Sequence, residues 1–207
     1  MTEGNTGNID QIQTAYGQHS AGILNRLRDR YDEIAKSKPP TEGSYFDRLD
    51  DTQKQAAIRE YRLKLANEAR DEAKQQYTEA VREYRERVEQ RKTQAEAALY
   101  GHGDALSADV LARGALASDE ELRNMARIAS KTNNGSLKQA ALSVAADRNM
   151  GDALLEVFGD EERALYQEIQ QAPPTEVLER QTHDVNIDAV VPDVSPDVIM
   201  PPAKGSS

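Results

Sequence analysis

From Asp51 to Tyr100 the chain runs for 50 residues without a glycine or a proline, and most of them are Ala, Glu, Gln, Arg or Lys. These residue types lose little side-chain freedom in a helix, and none of them breaks one. The stretch therefore predicts a single helix, ~75 Å long at 1.5 Å per residue, far beyond the usual 10 to 14 residues. Its apolar positions are Ile58, Tyr61, Leu65, Ala69, Ala73, Tyr77, Val81, Tyr84 and Val88. Repeated steps of four rotate the stripe by ~40° each, so the face at Ile58 to Ala69 and the face at Tyr77 to Val88 differ by about 120°. That rotation excludes a clean heptad coiled coil and asks for more than one covering surface.

One of those surfaces lies just upstream. Ile9, Ile12, Tyr16, Ile23, Leu27, Tyr31 and Ile34 fall within a stripe roughly 100° wide, which predicts an amphipathic helix to about Lys36. Gly17 and Gly22 weaken it at roughly 1 kcal/mol each relative to Ala. Lys38-Pro39-Pro40 ends it, because a residue before proline is pushed out of the helical region. A helix of that length reaches ~42 Å, and folded back antiparallel it covers only the first half of the long one. On this reading 9–100 is a helical hairpin, 1–8 a disordered tail rich in Gly, Asn and Thr, and Tyr77, Val81, Tyr84 and Val88 are left to bind a partner. The partner is the C-terminal half of the chain, a second copy or a larger assembly.

Gly101-His102-Gly103-Asp104 marks a boundary, and beyond it the periodic segments are short. Ser107 caps a helix to about Ala117, and Ser118 with Glu121 is a capping-box signature for a helix to Lys131. Asn133-Asn134-Gly135 stops that helix, Ser136 caps the next to about Asn149, and a last helix follows Asp160. The expected core of this small α-helical bundle, 104–172, is Leu122, Met125, Ile128, Leu137, Ala140, Ala141, Val144, Leu154, Leu155, Phe158, Leu165 and Ile169. From Pro173 the texture changes, since six of the eight prolines lie in the last 35 residues. Val185, Ile187, Val190, Val191, Val194, Val198, Ile199 and Met200 supply more apolar and β-branched residues than plain disorder does. Residues 173–207 thus read as an extended arm that lays side chains into a partner groove or adds a strand to a partner sheet. The fold class is mainly α: a hairpin with one very long helix, a small C-terminal bundle and an extended arm.

Composition narrows the chemistry. Leu, Ile, Val and Phe make up 38 of the 207 residues, little for a conventional core, and the net charge is −10. The acidity sits in the second half, where 101–207 carry 9 basic and 18 acidic groups, against 11 and 10 in 51–100. Phosphate binding needs a basic stripe, so direct nucleic-acid binding is disfavoured. The balanced long helix reads as a solvated face with local ion pairs. No apolar run approaches the ~18 residues of a membrane span, and the N-terminus lacks the basic and apolar stretches of a signal peptide, which implies a soluble protein made in a cytoplasm. Zero Cys removes thiolate chemistry and cysteine metal sites. Phosphate-loop, dinucleotide, zinc-protease, nucleophile-elbow and calcium-loop patterns are absent, and His19, His102 and His183 lie in three different segments. The acidic pairs Glu120-Glu121 and Glu161-Glu162 sit at helix starts, where the dipole accounts for them. The expectation is a non-enzyme with no cofactor and no metal.

In organisation the chain resembles small structural and assembly proteins of tailed bacteriophages. The likeness rests on a Cys-free, Trp-free acidic composition, the Asp51 to Tyr100 helix and the tail from Val185 to Met200. The segment from Ser118 to Phe158 also looks like helical pieces of head-region proteins from phages of actinobacteria. The resemblance implies a virion structural or assembly protein that binds itself and capsid, portal or neck subunits, located in the host cytoplasm during assembly and, as a permanent component, in the virion. A transient capsid scaffold is the alternative role, although the acidic, Pro-rich C-terminus with only Lys204 basic departs from the basic terminus scaffolds often carry. A cellular coiled-coil adaptor and, last, an acidic DNA mimic lie outside that class.

Overall fold

The computed structural model describes residues 7–39, 46–101, 108–174, 190–194 and 196–199. The described residues form helices α1 (Ile9–Lys36), α2 (Asp51–Tyr100), α3 (Ala108–Leu116), α4 (Asp119–Thr132), α5 (Gly135–Asp147), α6 (Gly151–Leu155), α7 (Asp160–Gln171) and α8 (Pro196–Ile199), with a 3-10 turn at Phe46–Arg48 and no strand among them. The mainly α class and the 50-residue helix are as the sequence predicts. Two compact units divide the chain: Gln13–Arg85 with Glu176–Ser207, and Met1–Ile12 with Glu86–Thr175.

In the first unit α1 and α2 run antiparallel. Arg62 Nε donates to the Ser37 carbonyl at 3.0 Å, Arg26 reaches Gln76 Oε1 at 3.4 Å, and the Tyr16 ring stacks on Tyr84 with centroids 4.6 Å apart. The helix therefore returns over residues 62–84 of α2 and leaves the first turns of α2 beyond its end, instead of covering the first half as the lengths alone predict. Residues 37–50 separate the two helices, and that much chain frees the return from starting at the first turn of α2. The seam joins Ile23, Leu27, Tyr31 and Ile34 of α1 to Ala66, Ala73 and Ala80 of α2. Those alanines recur every seven residues, and small side chains let two helix backbones approach while the large residues of α1 fill the space between.

The second unit packs α3 to α7 with the end of α2 around Leu99, Leu122, Ala126, Ala141, Leu142, Val144, Ala145, Leu154, Leu155, Phe158 and Tyr166. The Ser118 capping box is present: Ser118 Oγ accepts from the Glu121 N–H at 3.3 Å, and the Ser118 N–H donates to Glu121 Oε2 at 2.7 Å. Asn133 closes α4 in the left-handed region at φ 49°. The cap of α5 is Asn134, whose Oδ1 accepts from the Leu137 N–H at 3.0 Å, rather than Ser136; the side chain one position before the helix is the one that reaches its orphan donors. Ile128, expected in the core, is 53% exposed, because the inward face of α4 is Leu122, Ala126 and Ala129 and position 128 lies about 120° from its centre. Gly135 lies against the end of α2, where a β-carbon would stand 1.5 Å from the Tyr100 carbonyl oxygen. Arg148 holds the turn between α3 and α4 through the carbonyls of Ala117 and Ala115, each at 2.8 Å.

Candidate functional site

The sequence nominates two sets of partner-binding residues, and the structure packs all of the described ones except Val190 against the chain itself. On α2, Val81 and Val88 are buried, and Tyr77 and Tyr84 are half-buried. The Tyr16 hydroxyl donates to that of Tyr77 at 3.4 Å, and Tyr16 stacks on Tyr84. Burial, together with the hydrogen bond from Tyr16, pushes the Tyr77 phenol up to about 12, and burial also raises that of Tyr84. Both phenols therefore hold their protons at neutral pH and act there as packing groups rather than as bases.

The arm lies on the same hairpin. Val191 is fully buried and Val198 is buried in the seam with Ile23, Leu27, Tyr31, Ile34 and Ala66, and Val194 packs against it half-buried. Val190 is exposed and Ile199 is half-buried, while Val185, Ile187 and Met200 lie outside the described residues. Spacings of three and four between Val191, Val194 and Val198 let all three meet one groove, the last of them from the single turn of α8. Polar contacts set the register. Tyr31 donates its hydroxyl to the Pro192 carbonyl at 3.3 Å, Arg70 pairs with Asp193 at 2.5 Å, and Arg62 donates to the Ile199 carbonyl at 3.4 Å. Burial raises the Tyr31 phenol, the nearby Arg70 charge lowers it and the Asp193 charge raises it, so Tyr31 remains a donor over the physiological range.

Two polar nodes in the other unit escaped the sequence reading. Lys138, almost completely buried on α5, pairs with Glu162 Oε1 of α7 at 2.5 Å and donates to Asn133 Oδ1 at 2.9 Å. The other Glu162 oxygen accepts from Ser130 Oγ at 3.0 Å and from the Gly159 N–H at 3.3 Å. Burial pushes the Glu162 carboxyl up, but Lys138, Ser130 and Gly159 together outweigh it and hold the group below its ordinary value. Glu162 is thus more than a dipole-facing residue. The signal was a lone lysine on the inward, Ala-rich face of α5. The second node is the fork of Arg91 on Glu168, with two contacts of 2.7 Å; the Ile9 N–H also donates to Glu168 at 3.1 Å. Hydrogen bonding by Arg91, ahead of the opposing effect of burial, keeps Glu168 below its ordinary value. Each carboxylate is saturated by donors, which suits a tie between helices and leaves neither poised to take a proton from a substrate.

Among the described residues no group of three or more His, Asp or Glu stands together as metal ligands, and no helix is long and apolar enough to cross a membrane. His19 is exposed on α1, and His102 and His183 lie outside the described residues. No family model matches the chain, and neither a curated protein nor a solved structure matches it. The functional reading therefore stands on the residues themselves, among them the arm valines packed in the seam of α1 and α2.

Proposed function

We propose that this chain is a non-catalytic structural or assembly protein of a tailed phage, joining capsid, portal or neck subunits through its helical hairpin and C-terminal arm. The observation that carries the reading is the burial of Val191 in the α1/α2 seam, held in register by Tyr31, Arg70 and Arg62. A short valine-and-proline segment seated on a helix pair is how one protein chain recognises another: apolar side chains supply affinity, and a few polar contacts to backbone fix the register. A pair of helices that accepts such a peptide from its own chain carries the chemistry to accept one from a neighbour. In a symmetric shell or ring many such contacts act together, so each can be weak.

The phage setting comes from the resemblance in organisation. It is tested by mass spectrometry of purified mature particles and of empty precursor shells from the source system. The proposal expects the chain in both. Presence in precursors alone would make it a transient scaffold, and absence from both would make it a cellular adaptor instead.

A further inference from the structure

The contacts described above for the arm all fall on α1 and α2, and none of them depends on which chain carries those helices. Val191, Val194 and Val198 sit in the seam, the Tyr31 hydroxyl and the Arg62 guanidinium donate to the backbone carbonyls of Pro192 and Ile199, and Arg70 pairs with Asp193. Residues 175–189 join Pro174, the last described residue before the arm, to Val190. At 3.3 Å per residue a connection of that length reaches at most ~50 Å, several helix diameters. The same seam on a second copy offers the arm the same apolar floor, the same two donors to its carbonyls and the same arginine for Asp193.

We propose that the arm is exchanged between copies: the segment from Val191 to Ile199 of one chain docks in the α1/α2 seam of a second copy, whose own arm has left it. The inference rests on the reading of the arm as a recognition segment and names its partner as another copy of this chain. Exchange of an identical element makes the same contacts that it breaks, so the arrangements within and between chains differ mainly in the concentration at which a seam meets an arm. Covalent connection presents the arm to its own seam at an effective concentration of about a millimolar, which favours the internal arrangement in dilute solution. Where copies are packed to a comparable local density, as in a shell or ring, the exchanged arrangement competes on equal terms. Charge favours the same pairing. Arg62 and Arg70 face the arm and Asp193 answers Arg70, so the seam of a second copy attracts the arm rather than repelling it. Reciprocal exchange between two chains closes a dimer, and exchange passed from each chain to the next builds a ring or a filament.

Isotope mixing tests this on the full-length chain. Val190 is exposed and precedes the buried Val191, so Val190→benzoylphenylalanine sets a photoreactive group beside the seam without entering it. Circular dichroism checks the fold, and Val194→benzoylphenylalanine repeats the reading from a half-buried position. Chains with natural and with heavy nitrogen are mixed in equal amounts, incubated overnight at ~1 μM and at ~500 μM, irradiated and digested, and the peptides that join the arm to α1 or α2 are sorted by mass. The proposal expects light–heavy hybrids among the arm-to-seam links at the higher concentration, at least about tenfold more abundant than at the lower. Same-isotope links alone at both concentrations would overturn the exchange while leaving the arm docked within its own chain. Hybrids that join other surfaces, with none from arm to seam, would assign association of the chain elsewhere and overturn it too. Loss of every arm-to-seam link, hybrid or not, in both variants would remove the docking itself, and with it the reading of the arm as a recognition segment.

Discussion

The guanidinium of Arg70 on α2 lies 2.5 Å from the carboxylate of Asp193, joining the middle of the long helix to the C-terminal arm. Asp193 is 83% exposed on its side chain while Arg70 is 19% exposed, so water screens most of this attraction. The pair fixes where the arm sits, and the burial of Val191 beside it supplies the stabilisation.

Asp193→Ala is therefore expected to cost well under ~1 kcal/mol, in the range of exposed ion pairs. Val191→Ala, which removes two buried methyl groups, is expected to cost about 1.5–2 kcal/mol. Urea denaturation of the two variants beside the parent measures both. A larger loss in Asp193→Ala than in Val191→Ala would invert this ranking and make the ion pair the principal anchor.

At the node between α5 and α7, Glu162→Ala is expected to cost about 2–4 kcal/mol, because it strands the Lys138 ammonium, 3% exposed, without its anion. Lys138→Met leaves Glu162 nearer solvent and still bonded to Ser130 and Gly159, so the loss is smaller. Thermal melts of the two variants decide the order; equal losses would mean that Asn133 alone satisfies the lysine.

The carboxyls of Glu162 and Glu168 are both held below their ordinary 4.5 in the folded chain. The stability they contribute is complete above about pH 4.5 and is lost as pH falls through their folded values. Midpoints of unfolding followed from pH 6 down to pH 3 are expected to fall most steeply below 4.5. Glu162→Gln is expected to flatten that slope, and an unchanged slope would remove Glu162 from the acid response.

Glycines give opposite signs at two positions. A β-carbon at Gly135 would stand 1.5 Å from the Tyr100 carbonyl oxygen, so Gly135→Ala forces α4–α5 away from the end of α2 and costs about 1–3 kcal/mol or more. Gly17 lies within α1 with no atom near such a carbon, so Gly17→Ala stabilises by up to ~1 kcal/mol. Differential scanning calorimetry of the pair reads both signs directly.

Helices were legible where one local signal dominated. The absence of breakers gave α2, and the Ser118/Glu121 box gave the start of α4. Register was not, because the offset between α1 and α2 depends on the residues 37–50 that join them and on where Tyr16 finds Tyr84. The alanines at 66, 73 and 80 went partly unread since alanine scores weakly as apolar, although their step of seven was there to find. Lys138 was hidden for the complementary reason: a charged residue is assigned to solvent until its partner, 24 residues away in sequence, is known. Val191, Val194 and Val198 of the arm pack in the seam of α1 and α2, and nothing in their spacing named that seam as their place.

The docking of the arm is tested most directly by thermolysin, which cleaves before valine and isoleucine, acting on the full-length chain and on Val191→Asp under conditions where both are folded. Cleavage at Val194 and Val198 is expected to be slow in the parent and at least tenfold faster in Val191→Asp, while the cuts within α2 stay unchanged. Equal and rapid cleavage of the arm in both chains would contradict the account, since a segment seated between Tyr31, Arg70 and Arg62 is shielded from a protease.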